Sequence, residues 1–142
     1  MIGLDTNVLA RYYIDDKADP EALRQRRAAH RLIESGQPLM VSKSVILELE
    51  WVMRGYYRFT QAEVASVIRH LLEQANTIVE DRDAVEQALS NSEAGLDFAD
   101  ALHHASYRSC ASVATFDDRR FARRAKKLGL APAVVFVPQP AS

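Results

Sequence analysis

Met1-Ile2-Gly3-Leu4-Asp5-Thr6-Asn7-Val8-Leu9-Ala10-Arg11-Tyr12-Tyr13 changes its period partway along. Met1 to Leu4 is a short apolar run that stops at an acid, which reads as a buried strand. Val8, Leu9, Tyr12 and Tyr13 then recur at helical spacing. A strand passing straight into a helix is the first half of a βαβ unit.

The same alternation continues down the chain. Asp19-Pro20 is an N-cap followed by proline at the first helical position, and Gly36 closes that helix. Leu39 to Val41 is a second strand. Ser42 or Ser44 caps a helix running to Met53 and ended by Gly55. Thr60-Gln61-Ala62-Glu63 is a capping box, and the helix behind it places Val64, Val67, Ile68, Leu71 and Leu72 on one stripe. Thr77 to Val79 is a third strand, followed by a short helix over 83–89 and another from Asp97 to about Ser109. Ser112 to Phe116 is a fourth strand ending at Asp117. A basic helix from Arg119 to Leu128 and a strand from Ala133 to Val137 complete the pattern. Strands alternating with helices predict an α/β fold with a central parallel sheet.

The chain has 142 residues, the size of one domain, read here as 1–137 with a disordered tail over 138–142. Its 48% hydrophobic and 26% charged residues exclude a disordered body. A single cysteine, Cys110, excludes an internal disulfide framework and suits a reducing cytoplasm. The opening residues read as a strand and not as a signal peptide, so none is expected, and no apolar run reaches the roughly 20 residues of a membrane span. The formal charge of −1 does not attract a polyanion by itself, so nucleic-acid binding requires local charge.

Acids fall where chemistry is expected. In parallel sheets ligands bind beyond the carboxyl ends of the strands, and Asp5 and Asp117 lie there. Asp5 also reads as a helix N-cap. Glu48 stands in a helix that is apolar almost all round. With Trp51 and Val52 after it and Ser44 and Val45 before it, its carboxylate reads as buried and in need of a cation or hydrogen bonds, the alternative being a place at a wet helix edge. Glu50, four residues before Arg54, reads as half of a surface pair. Asp97 reads as a cap. Asp100 shares its face in the first turn and can both complement the helix dipole and ligate. Asp117 or Asp118 caps the basic helix, which leaves the other free. Thr115 shares the face of Asp117 and can orient a carboxylate or a water. Clustered carboxylates repel unless divalent cations lie among them, and hard oxygen donors select Mg²⁺ or Mn²⁺.

Ile2-Gly3-Leu4-Asp5-Thr6-Asn7-Val8-Leu9, Val45-Ile46-Leu47-Glu48-Leu49, Asp97-Phe98-Ala99-Asp100-Ala101-Leu102 and Ala114-Thr115-Phe116-Asp117 resemble, in order, the motifs of PIN-domain nucleases. Phe121-Ala122-Arg123 fits as well. Within that family the chain looks most like the VapC-type toxins of type II toxin–antitoxin pairs. The resemblance implies a three-layer α/β/α sandwich and Mg²⁺- or Mn²⁺-dependent endonucleolytic cleavage of RNA. It also implies homodimerisation and inhibition by a small VapB-like antitoxin protein. Asp5, Glu48, Asp100 and Asp117 match the family's acidic positions, with Asp5, Asp100 and Asp117 as metal ligands. Glu48 is then a further ligand or orients the attacking water. Thr6, Asn7 and Thr115 match supporting positions, and Asp97 and Asp118 are extra acids. The reading expects the four acids to share one metal-holding pocket, where an activated water attacks a backbone phosphorus.

Arg119, Arg120, Arg123, Arg124, Lys126 and Lys127 form a run without acids, read as an RNA-tracking surface. Arg24, Arg26, Arg27 and Arg31 form a second run, equally well read as a solvated face. Tyr12, Tyr13, Trp51, Tyr56, Tyr57 and Phe59 read mostly as core, any surplus favouring a dimer or antitoxin groove over base stacking. His103 and His104 read as a partly exposed pair, His30 and His70 as surface residues, and Cys110 as a packed small side chain. A haloacid-dehalogenase-like phosphatase wants a second Asp where Asn7 stands. A receiver-like module wants a strand-end Lys with no convincing candidate. A PIN fold used only for RNA binding or regulation leaves the four acids without a task.

Overall fold

The computed structural model describes residues 1–141. They form two compact units, Met1–Arg82 and the segment from Asp83 onward.

In the first unit Leu4 is buried, and the chain turns at Asp5 into helix α1 (Thr6–Tyr13). Asp5 is its N-cap. Helix α2 (Pro20–Ile33) starts from the Asp19 cap with proline in its first turn. Strand β2 (Leu39–Val41) lies between β1 (Ile2–Gly3) and β3 (Thr77–Val79), all parallel. The register pairs Ile2 with Leu39 and Leu39 with Thr77. Helices α3 (Lys43–Trp51) and α4 (Gln61–Glu73) connect β2 to β3. Leu9, Leu39, Val41, Ile46, Leu49, Met53, Ile68 and Leu71 form the core.

Helix α4 keeps its capping box: Glu63 N–H donates to Thr60 Oγ1 at 3.2 Å and Thr60 N–H donates to Glu63 Oε1 at 2.9 Å. Thr60→Ala is expected to cost about 1 kcal/mol. The denaturation midpoint measures this, and an unmoved midpoint would show that the box contributes nothing.

Helix α3 does not stop at Gly55. It widens into a π-helical turn, Val52–Tyr56, closed by Tyr57 N–H donating to the Val52 carbonyl at 3.1 Å. The left-handed residue that ends it is Arg58, at φ 58°. A glycine in a helical stretch marks where termination is cheap, and here the helical turn runs through Gly55 to Tyr56.

The second unit contains α5 (Arg82–Glu93), which opens at the boundary residue, α6 (Phe98–Ser106) and a parallel pair, β4 (Ser112–Thr115) with β5 (Ala133–Phe136). Helix α5 outruns the expected 83–89. Asn91 and Ser92 are buried and continue the stripe of Ala84, Val85, Ala88 and Leu89, although their polarity reads as an end. Helix α6 is shorter than read. The basic stretch splits into a π-helical turn, Asp118–Ala122, and a short helix α7 (Arg123–Lys127), with Phe121, Ala122 and Ala125 buried. Gly129 stops it at φ 68°.

Every strand pair is parallel and helices separate successive strands, so the α/β class with parallel strands and flanking helices is as read from the sequence. Among the described residues no helix is long and apolar enough to cross a membrane. Residues 138–141 form no helix or strand, and Ser142, the last position of the expected tail, lies outside the described residues.

Candidate functional site

In the first unit, β1 delivers Asp5 and α3 delivers Glu48 to one cavity of about 360 Å³, which Thr6, Asn7, Ala10, Arg11, Val52, Tyr56 and Tyr57 also line. Asp5 Oδ1 accepts the Thr6 N–H at 2.8 Å, so the capping role and a place in the cavity coexist. Thr6 is buried, and its hydroxyl donates to Glu48 Oε1 at 3.2 Å. That bond engages one oxygen of Glu48.

Glu48 is not buried and lies at the wet helix edge, the second of its two readings. Glu48 is exposed, whereas Glu50 is 4% exposed. Helix α3 turns Val45, Ile46, Leu49, Glu50 and Met53 inward, and Ser44, Glu48 and Trp51 share the outer stripe. Glu50 is held by Arg54, whose Nε donates to its two oxygens at 2.9 and 3.2 Å. The i,i+4 pair exists, with its carboxylate in the core rather than at the surface. Glu48 is set apart by its place in a polar cavity, not by desolvation.

In the second unit, Asp97 caps α6 by accepting the Asp100 N–H at 3.2 Å. Asp117, beyond the carboxyl end of β4, accepts the Arg120 N–H at 2.8 Å. Burial first, then the negative charges of Asp97 and Asp117, push the Asp100 carboxyl above the usual carboxylate range, against the opposing pull of His103 and Arg124. Asp100 is therefore near enough to Asp97 and to Asp117 to feel the charge of each. Asp118 ion-pairs with Arg123 at 2.7 Å. The Thr115 hydroxyl accepts the Asp117 N–H at 3.0 Å, so it positions the Asp117 backbone.

All six cations of the basic run are exposed. Arg123 is engaged by Asp118, and Arg124 donates to the Gly95 carbonyl at 3.3 Å. Arg119 and Arg120 are therefore the better probes. Replacing both by Ala is expected to flatten the slope of log affinity against log salt by about 1.4 for a single-stranded RNA, one counterion fraction per lost phosphate contact. A salt titration measures this, and an unchanged slope rejects the tracking surface. In the other run Arg24 pairs with Glu21 on the same helix, as a solvated face would.

Three smaller readings change. His104 is 3% exposed, with Nε2 on the Pro132 carbonyl at 2.8 Å, because its helix face packs inward; His103 stays outside. Cys110 is exposed, since α6 ends before it. Trp51 and Tyr56 are the aromatics of the original set that stand well into solvent, at 63% and 74%. Arg11 escaped the sequence reading altogether. Its signal was its position four residues after Asn7, on the same face of α1.

Within each unit the acids are hard oxygen donors of the kind a divalent cation takes, and the like charge that Asp97 and Asp117 place on Asp100 is of the kind a cation relieves. Among the described residues no three His, Cys, Asp or Glu side chains form a ready-made cage for an ion. Comparison with curated proteins gives no match. The family comparison does: a PIN domain matches residues 2–127, nearly the whole length, and the chain belongs to the PIN domain family.

Proposed function

We propose that this protein is a divalent-metal-dependent endoribonuclease, the toxin of a VapC-type toxin–antitoxin pair. The observation that carries the reading is the cavity beyond β1, where Asp5 and Glu48 stand together with a buried threonine hydroxyl in a chain of the PIN family. Nuclease chemistry follows from the family at its coarse level. RNA as substrate, an antitoxin partner, a homodimer and a cytoplasmic location belong to the proposal.

In this reading Asp5, Asp100 and Asp117 hold Mg²⁺ or Mn²⁺. The ion supplies activation of water and neutralisation of charge on the scissile phosphate. Glu48, fixed at one oxygen by Thr6, ligates or aligns the attacking water with the other. Asn7 offers an amide to the same cavity. Asp97 and Thr115 hold their neighbours' backbones, and Asp118 restrains Arg123. The exposed cations from Arg119 to Lys127 meet the RNA backbone.

The test has two arms. Purified protein with Mg²⁺ is expected to cleave RNA, and Asp5→Asn is expected to remove that cleavage. Expression in bacteria is expected to arrest growth, with relief by the protein encoded beside this gene. Intact RNA under all metal conditions would reject the enzyme. Cleavage without growth arrest would reject the toxin role alone.

A further inference from the structure

We infer that Tyr56 is a base-stacking platform: its ring receives a nucleobase of the RNA whose backbone enters the cavity of Asp5 and Glu48. The inference rests on the RNA-cleavage reading and adds to it a binding residue and the class of group it takes.

Tyr56 lines that cavity and is 74% exposed. Other large apolar side chains are exposed as well, Trp51 and Phe116 among them, and what sets Tyr56 apart from those two is that it lines the cavity. The ring is also held in place. Tyr57 packs against it edge to face, with centroids 4.8 Å apart and planes at 73°. Tyr57 is itself half-buried and donates through its hydroxyl to Asp16 Oδ2 at 3.4 Å.

The backbone beneath is fixed at both ends of the π-helical turn. Tyr57 N–H donates to the Val52 carbonyl at 3.1 Å, and Phe59 N–H donates to the Met53 carbonyl at 2.9 Å. Such turns often mark functional positions, because the extra residue re-aims a side chain. A ring braced by Tyr57 loses less conformational freedom than an unbraced one when a flat partner lands on it.

The surroundings select the partner. The same walls carry two carboxylates, the Asn7 amide and the Arg11 guanidinium. Arg11 Nε donates to Gln25 Oε1 at 2.8 Å, and Arg11 lines both this cavity and the neighbouring one that Gln25 lines. The core of a protein interface is depleted in charge. A flat aromatic beside a cation and ion-binding acids is instead what single-stranded nucleic acid needs: a π-face for the base and a cation for the phosphate. Trp51, exposed on the same helix, does not line this cavity and is not part of the platform.

The experiment measures binding by the full chain carrying Asp100→Asn, so that RNA survives. Two probes are compared: a short single-stranded RNA and a ribose-phosphate oligomer of the same length without bases. Tyr56→Ala is expected to weaken RNA binding by about 5- to 150-fold, to leave affinity for the base-free oligomer unchanged, and to leave the salt slope unchanged. Tyr56→Phe is expected to bind RNA as the parent does. Equal RNA affinity of parent and Tyr56→Ala would overturn the inference, and so would equal losses on both probes. Unchanged RNA affinity with an altered sedimentation coefficient would assign the ring to a protein interface instead. If the parent binds neither probe, the RNA reading itself fails, a result separate from failure at Tyr56.

Discussion

Asp100→Asn is expected to lower RNA cleavage by about a hundredfold or more while raising the melting temperature of the metal-free protein. Even outer partners of a metal site commonly cost 10- to 100-fold when removed, and Asp100 is proposed as a direct ligand. The gain in stability has a separate cause. Burial, Asp97 and Asp117 hold the Asp100 carboxyl above its ordinary range. An acid whose folded pKa exceeds its unfolded one binds its proton more tightly in the folded protein. Stability therefore falls as pH rises from the unfolded pKa through the folded one, and the full loss persists at neutral pH. Asn carries no charge there and removes that loss. Thermal melts in EDTA at pH 7 and pH 4 check the sign: the variant's advantage should be present at pH 7 and shrink at pH 4. A variant that loses activity and stability together would mean that Asp100 is structural.

Leu49→Ala and Glu48→Gln, neighbours on α3, should behave in opposite ways. Leu49 is fully buried, and its truncation removes about 2–5 kcal/mol, a fall on the order of 10 °C in melting temperature. Below that temperature its cleavage rate should stay near that of the parent. Glu48 is exposed and loses only charge on replacement by Gln, so the fold should hold while cleavage drops. Melting curves and initial rates on the same preparations separate the two effects. Loss of stability in Glu48→Gln would place that residue in the structural framework.

That contrast marks the limit of what the sequence discloses. Strand ends, caps and the capping box were legible because each is a local signal: Asp5, Asp19, Ser42, Thr60 and Asp97 all cap the helices they precede. The PIN domain family was legible through the motifs that resemble it. The environment of Glu48 was not. In Ser44 to Met53 apolar residues cover nearly every face, so periodicity carries no phase and cannot say which of Glu48 and Glu50 turns inward. Neighbours on other elements decide it: Thr6 from α1 bonds Glu48, and the core takes Glu50 with Arg54 over it. His104 is a different case: α6 has a clear apolar stripe of Phe98, Ala101, Leu102 and Ala105, and His104 is buried beside it because the Pro132 carbonyl, distant in sequence, meets its ring. Arg11 and Tyr56 were invisible as a pair because only the fold brings residues 11 and 56 to one cavity. The two π-helical turns have no sequence signature, and both fall where a simple helix was read.

The most direct test of the account is the cleavage rate of a defined RNA by purified protein in Mg²⁺, after chelation with EDTA, and after Mg²⁺ is restored in excess. The account predicts cleavage, its loss, and its full return, with product ends free of 2′,3′-cyclic phosphate because water is the nucleophile. Cleavage that persists in EDTA, or a cyclic phosphate at the new end, would contradict it.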